Sequence, residues 1–211
     1  MIGPLRLALT AMMLVPITAL CLDADAASLI RRLAHPAPAT IAFAEVRFSA
    51  LLKEPLVVSG ELSYQGANSL DRRVTQPYNE TTEIRGESVR VLREGETTRS
   101  FALKRSPELR GLLTGFSALL AGDASTLEGV FDAKVTPDGD AWTLELTPTD
   151  ARLRKRLKQI AIQGHNDTPR CFTIMNADGG ASVMLLGEAA ATPVPKGVTQ
   201  DNVLQRCRGA A

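Results

Sequence analysis

The residue types that carry most enzyme chemistry are sparse in this chain. It has two histidines, His35 and His165, and neither sits at metal-ligand spacing from a cysteine, an acidic residue or the other histidine. His35 precedes a proline and His165 follows Gly164 in a polar hairpin, so both are expected on exposed loops. The sequence contains no G-x-S-x-G, no phosphate-cradling glycine loop and no Cys-x-x-Cys. Asp71 and Glu83 could meet across neighbouring strands as a carboxylate pair, the arrangement general acid–base work needs, but nothing around them singles them out. The expectation is a protein that is not an enzyme, with no catalytic residue, no metal site and no cofactor. Asn79-Glu80-Thr81 and Asn166-Asp167-Thr168 match the glycosylation sequon and are read as chance matches.

The cysteines bear on compartment instead. Cys21 lies in an N-terminal stretch laid out as a secretory signal: Arg6, then apolar Leu7 to Leu22, then Ala24-Asp25-Ala26 as an A-x-A cleavage site. Acidic Asp23 and Asp25 follow the apolar run where a retained anchor would have a basic stop. Leu20 is bulky where lipoprotein processing needs a small residue, so Cys21 is expected to leave with the signal. Removal of residues 1–26 as a signal peptide leaves 27–211 as a single domain. Cys171 and Cys207 remain, an even count that in an oxidising compartment points to one disulfide, with two independent thiols as the alternative. A net charge of +1 gives no pull toward nucleic acid, and an aromatic content of 4% leaves little for base stacking.

The elements follow from periodicity. Ser28 to Leu33 reads as a short helix with Ser28 as its cap. Ala44, Val46 and Phe48 then alternate with Glu45, Arg47 and Ser49, the period of a half-buried strand. Similar stretches follow at 56–64, 70–76, 78–85, 88–93 and 97–104, and again at 129–136, 141–147, 158–163, 170–176 and 181–188. Asp138-Gly139 and Asp178-Gly179-Gly180 supply hairpin turns. One strong helix, Pro107 to Ala121, interrupts the series with Ser106 as N-cap, and a short one is expected to start at Thr199. The long helix is apolar on most sides, so it must cover something apolar. Ten or eleven strands exceed what a flat sheet holds, and twist makes such a sheet curl. The fold class is therefore mainly β with a few helices, a strongly curved antiparallel sheet with a helix over its opening. Arg152, Arg154, Lys155, Arg156 and Lys158 form the one charge cluster, read as a solvated strand edge, with attraction to anionic headgroups as the alternative.

The order of signal, short helix, the strand Phe43-Ala44-Glu45-Val46-Arg47-Phe48, the strand Ser59-Gly60-Glu61-Leu62-Ser63-Tyr64, the segment Thr75-Gln76-Pro77 and the internal helix resembles the outer-membrane lipoprotein carrier (LolA-like) family. The resemblance implies an incomplete barrel with helices as a lid, whose apolar cavity shields acyl chains in the periplasm. On that reading Phe43 or Phe48, Val58, Leu62, Tyr64, Val89 and Val91 line the sheet side. Leu109, Leu112, Leu113, Phe116, Leu119 and Leu120 close the cavity from above, with hinging at Gly111, Gly115 or Gly122. The implied partners are an acylated lipoprotein or lipid, an inner-membrane exporter and an outer-membrane acceptor, with the protein a monomer and no nucleic acid involved. The family's latch arginine, which bonds to the lid backbone, has Gly66-Ala67 in its place here; Arg72, Arg73 and Arg85 are the available substitutes. The competing reading is a periplasmic interaction or sensor module that docks an export system without carrying cargo. A third, a lipid hydrolase or isomerase, would need a polar group inside the pocket.

Overall fold

The computed structural model describes residues 24–66 and 68–209. The expected signal at 1–26 falls mostly outside them; its last residues open α1 (Ala24–Arg32), where Ala26 is buried. The helix starts earlier than predicted, and Ser28 lies inside it rather than at its cap. Among the described residues, no helix is long and apolar enough to cross a membrane.

Two meanders make one sheet. The first runs through β1 (Ala39–Phe48), β2 (Leu56–Gly66), β3 (Ser69–Gln76), β4 (Glu80–Arg85), β5 (Ser88–Arg93) and β6 (Glu96–Ala102). The second runs through β7 (Phe131–Asp138), β8 (Ala141–Pro148), β9 (Leu157–His165), β10 (Thr168–Asn176) and β11 (Ala181–Leu186). β1 pairs antiparallel with β11, Phe43 opposite Leu186 and Phe48 opposite Ala181, which joins the meanders into an 11-stranded sheet in the order 6-5-4-3-2-1-11-10-9-8-7. The sheet is not closed: β6 and β7 are its two edges. This is the open, strand-rich architecture the periodicity predicts. The hairpin turns are also where expected, with Gly139 and Gly179 at positive φ and the Asp178 carboxylate accepting from the Gly180 N–H.

Because β6 and β7 lie at opposite edges, the chain between them must cross the sheet. It does so as α2 (Pro107–Ala121), flanked by short 3-10 turns at Leu103–Arg105 and Ala124–Leu127. Pro107 occupies the first turn and Gly122 ends the helix in the left-handed region (φ 66°), donating to the carbonyls of Ala118 and Leu119. Gly111 and Gly115 lie inside an unbroken helix, at its closest approach to the sheet. A Cβ on Gly111 would stand 2.8 Å from Ile160 Cδ1, and one on Gly115 would stand 3.0 Å from the Phe172 ring. Their lack of a side chain lets α2 settle onto β9 and β10.

Alternation sends side chains to two cores. The concave side holds the large one, drawn from the sheet, α1 and α2. The convex side holds a smaller one, in which Ala44, Val46, Val183 and Leu185 pack beneath Val203 of α5 (Gln200–Cys207) and Ala189 of α4 (Glu188–Ala191), an element the sequence reading missed. A capping box between Thr199 and Asn202 starts α5, as the threonine predicts. Arg206 Nη2 donates to the carbonyls of Ala189 (3.0 Å) and Thr192 (2.7 Å), and Cys207 is disulfide-bonded to Cys171 of β10. Of the two readings for these cysteines, the bonded one is present. A loop of this length contributes about 4 kcal/mol in the chain-entropy picture. Urea unfolding of Cys171→Ala/Cys207→Ala should show an unfolding free energy lowered by that order, with an earlier midpoint; an unchanged midpoint would mean that the bond fastens nothing.

Candidate functional site

The concave face gathers most of the residues expected to line a cavity. On the sheet, Phe43, Val58, Leu62, Tyr64 and Val89 are buried in the large core. From α2, Leu112, Leu113, Phe116 and Leu119 point into the same core, with Leu109 and Leu120 partly buried against it. Val91 is half-buried and lines a cleft on the same face. Phe48 is the correction. It lies five residues from Phe43, and an odd separation puts a strand residue on the opposite face. It packs with Ala44 and Val46 in the convex core, partly buried, and is also among the residues around the concave cleft. The sequence reading also missed Phe172, Ile174, Met184 and Leu186, which β10 and β11 contribute to the concave face. Their alternation with Cys171, Thr173, Val183 and Leu185 was the available signal.

Phe172 divides the space beneath α2. Its ring lies 5.1 Å from that of Phe116 and borders two hollows. The smaller, about 280 Å³, is bounded by Ile41, Leu62, Leu70, Leu119, Leu120 and Leu186, with exposed His35 among the residues around it. The larger, about 620 Å³, is an open cleft with Leu56, Val91, Phe101, Leu109, Leu112 and Met184 on its walls. That volume lies within the usual range for small-molecule sites. At its rim the β1–β2 connection presents Leu51, 95% exposed, and Leu52, 42% exposed.

The floor of the large cleft is charged. Glu45 of β1 is on the concave face, opposite Val58 and Met184. Its Oε1 accepts from Arg47 Nε (2.7 Å) and the Ser182 hydroxyl (2.6 Å); its Oε2 accepts from Arg47 Nη2 (3.2 Å) and from Arg72 Nη2. The Glu45 and Arg72 side chains are only 6% and 8% exposed, whereas Arg47 is 44% exposed. Burial pushes the Glu45 carboxyl up, but the Arg72 charge, the Arg47 hydrogen bond and charge, and the Ser182 hydroxyl outweigh it and bring it from 4.5 down to about 2. Arg72 also lies over the Phe43 ring, 4.9 Å from its centre.

The other polar candidates lie elsewhere. Asp71 and Glu83 are directly opposed on β3 and β4, but each carboxylate is engaged by an arginine, Arg85 at 2.6 Å and Arg90 at 2.5 Å. Of the three arginines considered for the latch, Arg72 bonds to Glu45 and Arg85 to Asp71, while Arg73 is exposed. The lid is held instead by the close approach at Gly111 and Gly115 and by the His35 N–H donating to the Leu120 carbonyl (2.9 Å). Ser106 starts α2 without capping it by a side-chain hydrogen bond. Among the described residues, no group of three or more His, Cys, Asp or Glu is placed to hold a metal. The basic cluster lies on an exposed turn around α3 (Ala151–Arg154), where Arg154 Nη1 donates to the Thr149 carbonyl (2.6 Å).

A model of the LolA-like outer membrane lipoprotein carrier protein family matches residues 18–210. No curated protein matches significantly. Among solved structures, a LolA superfamily protein from Nitrosomonas europaea is similar at 12% identity and a TM-score of 0.45, covering 81% of this chain and 94% of that one. MucB in the Pseudomonas aeruginosa MucA/MucB complex is similar at 16% identity and 0.39, covering 85% of this chain and 60% of that one. LprF from Mycobacterium bovis is similar at 11% and 0.34, covering 82% and 96%.

The buried ion cluster makes a prediction about acid. A carboxyl that titrates at about 2 when folded, against an ordinary 4.5, contributes stability fully present above about pH 4.5 and lost as the pH falls toward 2. At 1.36 kcal/mol per pH unit this is about 3 kcal/mol. Glu45→Gln, which leaves Arg72 buried without its counter-charge, should cost a similar amount at pH 7 and flatten the loss of stability in acid. Thermal melts from pH 7 to 2 check this; superimposable profiles for variant and parent would contradict it.

Proposed function

The chain belongs to the LolA-like outer-membrane lipoprotein carrier family, and from that premise we propose that it shields acyl chains of a lipoprotein or lipid during transit through the periplasm toward the outer membrane. The observation that carries this reading is the 620 Å³ cleft between the concave sheet and α2, with an apolar wall from each. Acyl chains cost about 0.8 kcal/mol per methylene to expose, about 12 kcal/mol for sixteen carbons. A carrier must offset most of that and still release its load, which an open cleft beneath a single helix allows. The protein acts after removal of residues 1–26, as a monomer, taking cargo from an inner-membrane exporter and passing it to an outer-membrane acceptor. It binds and releases without chemistry.

A second reading, a periplasmic module that docks an export or regulatory protein and carries nothing, is favoured by exposed Leu51 and Leu52 beside the cleft. Binding distinguishes the two. A fluorescent fatty acid titrated into purified protein should bind at micromolar concentration or tighter. Leu109→Trp, which fills the cleft from the lid side, should weaken it at least tenfold. No binding by the parent protein would reject the carrier reading and leave the docking one.

A further inference from the structure

The large cleft is not lined as a purely hydrocarbon site would be. Glu45, Arg47 and Arg72 sit on its floor, and Arg99 stands on its β6 side with its guanidinium 5.0 Å from the Phe101 ring centre. One carboxylate thus serves two guanidiniums, and its two oxygens already accept four hydrogen bonds. Each guanidinium has five N–H donors, and Glu45 engages only part of either set. Among the described residues, two other acidic ones border the cleft, and both are engaged. Glu80 pairs with Arg93 (2.9 Å), and the Asp178 carboxylate accepts from a backbone N–H of its own turn (2.9 Å). Among the described residues the whole lining holds three arginines and three carboxylates, but on the floor two guanidiniums face the single carboxylate of Glu45 and keep unused donors. The N-terminus of the 15-residue α2 opens onto the same cleft at Ser106, whose side chain leaves the first turn uncapped, and a helix N-terminus favours anions.

Apolar walls over a cationic floor fit a ligand with the same two parts. We propose that the cleft takes an amphiphile with an anionic head, a carboxylate or a phosphate, seated against Arg47, Arg72 and Arg99 while its chain lies between Leu109 and Leu112 of the lid and Val91 and Met184 of the sheet. This rests on the carrier reading and narrows it: the cargo class is acidic lipid rather than neutral acyl chain alone. Arg72 is the fixed part of the head site, because burial, Glu45 and Phe43 hold it in place. Arg47 and Arg99 are more exposed and are the adjustable part. Glu45 has a positioning role, holding both β1 and β3 arginines at one point and keeping the empty cleft from being an unscreened cationic pit.

The test separates head from chain. Dodecanoate, dodecyl phosphate and 1-dodecanol have the same twelve-carbon chain and differ in their heads. Titration calorimetry of the purified protein at pH 7.5 should find both anions bound at least tenfold more tightly than the alcohol. Arg47→Gln/Arg99→Gln, which leaves the buried Glu45–Arg72 pair in place, should bring that ratio below threefold. Inorganic phosphate at ten times the dodecyl phosphate concentration should leave binding unchanged. Three equal affinities in the parent protein would overturn the head site while leaving the carrier reading intact. A preference that survives the double substitution would overturn it as well, and displacement by inorganic phosphate would make the site one for a free anion and overturn the amphiphile. Binding of none of the three would reject the carrier reading and this inference together.

Discussion

A connectivity constraint underlies the rest of the structure. The chain finishes its first meander at one edge of the sheet and must begin the second at the other, and the crossing segment has to pass over the concave face. An extended loop there would carry backbone polar groups into an apolar space with nothing to bond to; a helix satisfies them internally. A helix of 15 residues is about 22 Å long and about 10 Å across. Eleven strands at about 4.8 Å spacing make a face several times wider than that. One helix can be seated on β9 and β10 by Gly111 and Gly115, but it leaves room to either side of the contact. The two hollows flanking Phe172 are that remainder.

The ion cluster belongs to the same account. Placing Glu45 and Arg72 on the inner face of a sheet costs desolvation that a hydrophobic pair would avoid, so such a cluster is weak evidence for stability alone. Its acceptors are saturated, its donors are not, and it lies on the floor of the cleft that α2 borders. The opposed Asp71 and Glu83 are a useful contrast: on the other face of β3 and β4 they form one-to-one pairs with Arg85 and Arg90, which leave no comparable surplus.

Much of this was readable in the residues. Pro107 and the three-four leucine spacing located α2 to the residue, the Asp-Gly turns located two hairpins, and period-two alternation located the strands to within a few positions. The family followed from the order of these elements and not from any catalytic motif. What could not be read was register across the sheet. Phe48 looked interchangeable with Phe43 because both are aromatic and on one strand, but face is decided by parity alone, and only pairing with β11 shows which parity is concave. Glu45 looked like an outward-facing residue for the same reason: its neighbours Ala44 and Val46 are apolar, and they do have a core, on the convex side beneath α5. Two cores on one strand defeat the rule that polar residues mark the solvent face. The glycines of α2 are ambiguous in the sequence, since glycine within a helix can mean bending or closeness, and the neighbouring Ile160 and Phe172 show the closeness.

The carrier function requires that the space beneath α2 be occupied by hydrocarbon when the protein works. Native mass spectrometry of protein purified without detergent tests it most directly. A carrier should give a population heavier than the chain by the mass of an acylated molecule, lost on collisional activation and diminished in Leu109→Trp. A single species at the mass of the chain alone, from cells and after incubation with membrane lipid, would contradict it.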